Sequence, residues 1–259
     1  MRLHYQQLGR PDGRPVVLLH GLLLSSQLQA RLAGALAEEC VYLFDLHGHG
    51  RSSKPRDRDA YRWPALAEDV FALLDHLGLE QAAVGGISLG ANVALAAGLE
   101  RPERLSAMLL EMPVLGDGIR FAKPVFTTLA SVTAAGRLVA APAAAALRRL
   151  PVPRTIPEIA AWHDSASTDP RVIVAVLRGL MAEDALGGDA ETLRRLSVPT
   201  LVIGHHGDPL HPIADAKRLV EHLPHAELVE VSSILEHRLR PGRLAASITA
   251  FLNRLDARR

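Results

Sequence analysis

The stretch Gly85-Gly86-Ile87-Ser88-Leu89-Gly90-Ala91-Asn92 holds the residues of this chain best suited to chemistry. An apolar run, Ala82-Ala83-Val84, precedes it, and a small-residue helical run, Val93-Ala94-Leu95-Ala96-Ala97, follows it. The pattern is a buried strand, a tight turn and a helix, with Ser88 at the apex. Gly86 and Gly90 flank the serine at the spacing G-x-S-x-G. A turn this sharp brings strand and helix together, so the positions two before and two after the apex must lack bulk. The serine is held clear of the backbone above a helix N-terminus. Backbone N–H groups there can face a developing negative charge.

A serine hydroxyl is a poor nucleophile at neutral pH. It needs an imidazole to take its proton and a carboxylate to orient that imidazole. Both are expected on loops that follow strands. After the apolar run Thr200–Gly204 comes His205-His206-Gly207-Asp208-Pro209-Leu210-His211-Pro212, in which Asp208 is the only acid. After Ala226–Val231 comes Ser232-Ser233-Ile234-Leu235-Glu236-His237. The expected order is therefore nucleophile Ser88, acid Asp208, base His237. The loop His20-Gly21-Leu22 follows an early strand. The backbone N–H of Leu22 and that of Leu89 are assigned to an oxyanion hole, where each donor is typically worth about 3 kcal/mol.

The other histidines read more plainly. His205, His206 and His211 fit no common metal-ligand spacing and are taken as loop residues flanking Asp208. No metal is expected. His47 and His49 shape a wall of the site, His20 braces the oxyanion loop, and Asp45 is structural.

These residues require a frame. Leu3–Leu8 alternates as a short strand, and Pro15–His20 is a continuous apolar run of the kind covered on both faces. Gln27–Glu39 reads as a helix with serine available as its N-cap, Val41–Asp45 as a strand, and Pro64–Leu77 as a helix stopped at Gly78. Gln81–Gly85 and Leu105–Glu111 read as further strands. This alternation is the pattern of an α/β protein with a mostly parallel, doubly wound sheet. From Pro113 to about Ser197 no convincing strand occurs. Pro142, Pro151, Pro153, Pro157 and Pro170 are expected to break this stretch into short helices. Strand and helix then resume at Thr200–Gly204, Ile213–Leu223, Ala226–Val231 and Pro241–Leu255. The expected organisation is a core of residues 1–112 and 198–259 with a helical lid, 113–197, inserted at the C-terminal ends of the strands. Open α/β sheets bind ligands there. His20, Phe121, Phe126, Trp162 and Met181 are candidates to line the pocket, and the mainly apolar lid suggests an apolar acyl or alcohol group.

Composition narrows the classes further. The chain has 259 residues, 48% of them hydrophobic, enough for a sizeable core. With 29 basic and 28 acidic residues the formal net charge is +1, which gives no case for nucleic acid or an anionic membrane as partner. The single cysteine, Cys40, excludes an internal disulfide framework and a cysteine zinc site. The N-terminal stretch is polar, and Leu129–Leu147 is interrupted by Arg137 and Pro142. The expectation is a soluble cytoplasmic protein, monomer or homodimer, acting on a small molecule.

The chain resembles the α/β-hydrolase fold family across nearly its full length. The resemblance rests on His20-Gly21, Asp45-Leu46-His47-Gly48-His49-Gly50-Arg51-Ser52, Gly86–Gly90, Gly207-Asp208 and His237 ahead of the last helix. It implies a serine hydrolase of carboxylic esters, lactones, thioesters or related bonds that needs no cofactor. The Ser88 turn is most similar to the small bacterial esterase and enol-lactonase group. Dehalogenases and epoxide hydrolases of this fold carry aspartate where Ser88 stands, which argues against both activities. A minority of the fold places its acid where Glu111 lies. Two departures stand out: the usual first edge strand is missing, and Ala91 occupies a position where carbon–carbon bond hydrolases often carry glycine. The resemblance also allows acyl transfer, lyase or cyclase chemistry on the same triad, or a receptor that kept the fold with little turnover.

Overall fold

Seven strands frame the protein: β1 (His4–Gly9), β2 (Pro15–Leu19), β3 (Cys40–Asp45), β4 (Ala82–Ile87), β5 (Leu105–Glu111), β6 (Thr200–His205) and β7 (Ala226–Val231). They form one sheet in the order β1-β3-β2-β4-β5-β6-β7. β1 runs antiparallel to β3, and every other pair is parallel. This is a computed structural model, and it describes residues 2–182, 190–232 and 240–257. β3 and β4 are buried at every position, as their unbroken apolar sequences require. Polar β1 sits at the edge, where one face meets water.

The helices among the described residues are α1 (Ala30–Ala35), α2 (Trp63–His76), α3 (Leu89–Glu100), α4 (Gly116–Leu147), α5 (Pro157–Ala166), α6 (Pro170–Leu180), α7 (Ala190–Arg195), α8 (Ile213–His222) and α9 (Gly242–Asp256). Strand residues alternate between two cores. Val17, Leu19 and Phe44 pack with α2, α3 and α8. Val16, Leu18 and Leu43 pack with α1 and α9 on the other face. The sheet is thus covered on both sides. Every crossover to a parallel neighbour delivers its loop to the same end, where β2, β4, β5, β6 and β7 terminate.

Two local expectations differ from the structure. The helix expected over 27–39 is a 3-10 turn, Ser26–Gln29, followed by the short α1. Ser25 occupies the N-cap position, but its hydroxyl is buried without a hydrogen-bond partner among the described residues. The Asp45 carboxylate accepts the Ser26 N–H at 2.8 Å, which satisfies the first of the free donors at the start of this turn. The second difference concerns proline. α4 runs unbroken for 32 residues with Pro124 and Pro142 inside it. Each proline leaves a carbonyl one turn back, at Arg120 and Leu138, without its helical donor. Both residues are exposed, so solvent can satisfy those carbonyls. Pro157 and Pro170 instead open α5 and α6, where a missing N–H costs nothing.

No strand occurs between β5 and β6 among the described residues. The start of α4 is pinned to the sheet domain from two sides. Buried Asp215, on α8, accepts the N–H groups of Leu115 (3.2 Å), Asp117 (3.2 Å) and Gly118 (2.9 Å), capping α4 from another element. Asn92, on α3, exchanges hydrogen bonds with the Val114 backbone at 2.8 and 2.9 Å. By length and composition, α4 is also apolar enough to cross a bilayer. In this fold its N-terminal half roofs a cavity and it packs mainly on α6.

Candidate active site

Ser88 has φ 54° and ψ −109°, a conformation that a non-glycine residue holds only under constraint. The constraint is visible. Ser88 N–H donates to the Glu111 carbonyl on β5 at 2.9 Å, and the Ser88 carbonyl accepts the Asn92 N–H at 3.0 Å as α3 begins. Both flanking glycines lie against one atom: a Cβ on Gly86 or on Gly90 would run into the Leu19 carbonyl oxygen of β2. The spacing G-x-S-x-G is therefore set by the approach of β4 and α3 to β2.

The hydroxyl has a partner. His211 Nε2 lies 2.9 Å from Ser88 Oγ, and His211 Nδ1 lies 2.8 Å from Asp208 Oδ2. With Asp208 accepting the Nδ1 proton, Nε2 is free to accept the serine proton. Both residues belong to the loop between β6 and α8. Asp208 Oδ1 accepts the backbone N–H groups of Leu210 (2.8 Å) and His211 (3.3 Å), folding Asp208-Pro209-Leu210-His211 into an Asx-type turn. That turn returns the imidazole to its own carboxylate. Burial works against charge on Asp208, but the side-chain hydrogen bond from His211, its charge and the two backbone donors outweigh this. The carboxyl is held below its ordinary range.

His237 lies outside the described residues. His211 was read from the sequence as a bystander, although Asp-Pro-x-His is a turn spacing that can close an acid on a base within one loop. Glu111 is engaged elsewhere, 3.1 Å from His205 Nε2. His47 Nδ1 pairs with Asp69 at 2.6 Å, and His49 Nδ1 donates to the His47 carbonyl at 2.8 Å.

Leu22 and Leu89 both border the cavity beside Ser88. Leu89 is the first residue of α3, and neither its N–H nor that of Leu22 donates to a protein acceptor among the described residues. Beneath them, His20 Nδ1 donates to the Gly21 carbonyl (2.8 Å), and its Nε2 accepts the Leu46 N–H (3.1 Å). Burial pushes this imidazole down from its ordinary value and keeps it neutral. Asp45 ties together the next loop, accepting from Arg51 N–H at 2.9 Å and pairing with His4 at 3.1 Å.

The cavity has a volume of ≈ 970 Å³ and is walled mostly by apolar side chains. Phe126 and Met181 line it, together with Trp63, Ile119 and Leu180. The other lining candidates do not. His20 is wholly buried with both ring nitrogens committed. Phe121 stands on the side of α4 opposite Ile119, Lys123 and Phe126, as a turn of 3.6 residues dictates. Trp162 is 65% exposed on α5.

A strained serine on a strand–turn–helix, on this sheet order, defines a class. The chain belongs to the alpha/beta hydrolase fold family, whose sequence model matches residues 14–150. Among its relatives is the 3-oxoadipate enol-lactonase 2 of Acinetobacter baylyi, 30% identical over 241 residues, which span 90% of this chain and 86% of that one. A haloalkane dehalogenase of Mycolicibacterium paratuberculosis is 27% identical, over 87% of this chain and 78% of its own. A thermophilic esterase from Thermogutta terrifontis superposes with a TM-score of 0.77 at 25% identity, covering 98% of this chain and 93% of that one. The protein is a hydrolytic enzyme of this fold.

Proposed function

We propose that the protein is a serine hydrolase that cleaves a carboxylic ester or lactone through an acyl-enzyme intermediate. The observation that carries this reading is the hydrogen-bonded series Ser88 Oγ, His211, Asp208, at 2.9 and 2.8 Å. Ser88 attacks the carbonyl while His211 Nε2 takes its proton. The N–H groups of Leu22 and Leu89 hold the oxyanion. His211 then protonates the leaving alkoxide, which in a lactone stays tethered to the acyl group. The same imidazole activates water to release the acyl group from Ser88. Asp208 stays ionised and orients the ring. Residues 113–197 act as a cap over a core of 1–112 and 198–259, and the apolar cavity walls favour a substrate with an apolar acyl or alcohol group.

A second assignment of the base is His237, favoured by its position after β7 and before α9. Single variants separate the two. On a p-nitrophenyl ester, Ser88→Ala and His211→Ala should each lower kcat/KM by about a thousandfold or more, while His237→Ala stays within about tenfold. A fluorophosphonate should label Ser88 and lose its site in Ser88→Ala. Loss in His237→Ala with His211→Ala intact would move the base to His237 and leave the hydrolase reading standing. Wild-type turnover by Ser88→Ala would end that reading.

A further inference from the structure

The side of the insertion facing away from the cavity differs from the rest of the surface. Among the described residues, every strongly exposed large apolar side chain falls between Phe121 and Trp162. Leu138 is 81% exposed, Val139 80% and Val132 64%. In the most apolar 18-residue stretch of α4, 11% is buried. Isolated apolar side chains on a surface need no explanation, but a continuous group of them marks an interaction site.

The exposed residues lie on two joined elements. His163 Nε2 is 2.9 Å from the Leu147 carbonyl, which joins α5, and Trp162 with it, to the end of α4. Leu150 and Trp162 are thus exposed near the C-terminal end of the helix that also exposes Leu138 and Val139.

Its charge is one-sided. From residue 118 to residue 157 the chain has no acidic residue and six basic ones: Arg120, Lys123, Arg137, Arg148, Arg149 and Arg154. Arg120 and Arg154 are paired with Asp117 and Asp164. Lys123, Arg137, Arg148 and Arg149 have no carboxylate partner among the described residues. Lys123 lies on the cavity side of α4, which leaves Arg137, Arg148 and Arg149 as cations without a carboxylate partner among the described residues along the exposed apolar stretch.

We propose that the outer face of α4 and α5 docks on the surface of an anionic lipid bilayer. Leu138, Val139, Leu150 and Trp162 enter the interface, and Arg137, Arg148 and Arg149 lie at the level of the lipid phosphates. Apolar burial combined with basic side chains is the chemistry that holds a helix in the plane of such a surface. Trp162 has the amphipathic ring that favours the interfacial layer. A second copy of the chain fits this face less well. A two-fold interface sets a patch against itself, and with Glu158 of α5 already paired to Arg31 the charges left over on this face are cations, which would then oppose one another. Ile119 and Phe126, on the other side of α4, line the cavity. The helix would separate the lipid from the substrate space.

Co-sedimentation of the full chain with vesicles of equimolar phosphatidylcholine and phosphatidylglycerol tests the assignment, against phosphatidylcholine alone. Binding should occur with the anionic vesicles and weaken as salt rises. The emission of Trp162 should shift to the blue on binding, because the other tryptophan, Trp63, is already buried. Arg148→Glu with Arg149→Glu, and separately Leu138→Gln with Val139→Gln, should each reduce partitioning by about tenfold or more. Hydrolysis of a soluble ester should stay within about twofold of wild type in both variants, since neither pair touches the cavity. Equal binding to both vesicle types, or none, overturns the proposal. So does a wild-type dimer in sedimentation velocity that Leu138→Gln with Val139→Gln converts to monomer, because the occupant is then a second copy.

Discussion

α3 and α4 draw on nearly the same small apolar alphabet and lie in opposite surroundings. In α3 each residue from Leu89 to Gly98 is buried. In α4, across 32 residues, the buried positions are Gly118, Ala122, Ala130 and Ala144. α3 is enclosed by β2, β4, β5 and α2, whereas α4 leans mainly on α6. An apolar helix sequence therefore states a need for cover without saying what supplies it. The covered helix carries Ser88 at its N-terminus, and its alanines and glycines let it settle close to the sheet. The uncovered helix turns Ile119 and Phe126 to the cavity and leaves Phe121, Val132, Leu138 and Val139 exposed.

The largest effect that would sharpen this contrast is a charge placed in α3. Ala94 is fully buried, so Ala94→Asp should cost about 4 kcal/mol or more and leave little folded protein. Urea unfolding, or the soluble yield where no transition remains, measures it. A folded Ala94→Asp protein of near wild-type stability would break the comparison. A smaller loss is expected at the turn itself. Gly90→Ala drives a methyl group toward the Leu19 carbonyl, and α3 must retreat from β2 to admit it. The cost should be about 1–3 kcal/mol in the urea midpoint. Turnover should fall further than stability alone accounts for, because the displaced helix carries Ser88 with it.

Much of this was legible in the sequence, for a physical reason. Buried parallel strands leave unbroken apolar runs, and the serine turn leaves two glycines because two main-chain segments meet one carbonyl. Both signals are local and steric. The pairing of His211 with Asp208 was less legible, since three histidines in one loop look equivalent until the Asx turn at Asp208 selects the one three residues on. The length of α4 was misread because Pro142 was expected to end a helix, whereas α4 continues through it with the freed Leu138 carbonyl on an exposed residue. The lining of the cavity was half legible. Phe126 and Phe121 have the same chemistry, and only the rotation of α4 about its axis separates them.

The next effect belongs to the covered core beneath the serine loop. His20 and His49 are buried with ring centroids 4.8 Å apart. Burial lowers both below the ordinary histidine value, His49 well below it, and the His20 ring further disfavours charge on His49. The folded state binds their protons less readily than the unfolded chain. Their contribution is therefore complete above the unfolded value of about 6.5 and is lost as pH falls below it toward the folded values. Urea unfolding at pH 7 and pH 5 should show a drop of about 1–3 kcal/mol. His49→Asn removes one titration and should flatten the slope. Equal slopes in the two proteins would locate the acid sensitivity elsewhere.

The smallest expected effect is the counterpart of the first. Ala135 lies on the exposed middle of α4, so Ala135→Asp should change the urea midpoint by no more than about 0.5 kcal/mol. The same chemical change is then nearly silent in one alanine-rich helix and disabling in the other. Added phosphatidylglycerol vesicles turn this silence into a sharper test. If α4 rests on an anionic surface, Ala135→Asp should weaken vesicle binding while soluble stability and ester turnover hold. If something within the protein covers that face, the loss should appear in the urea midpoint without any vesicle present.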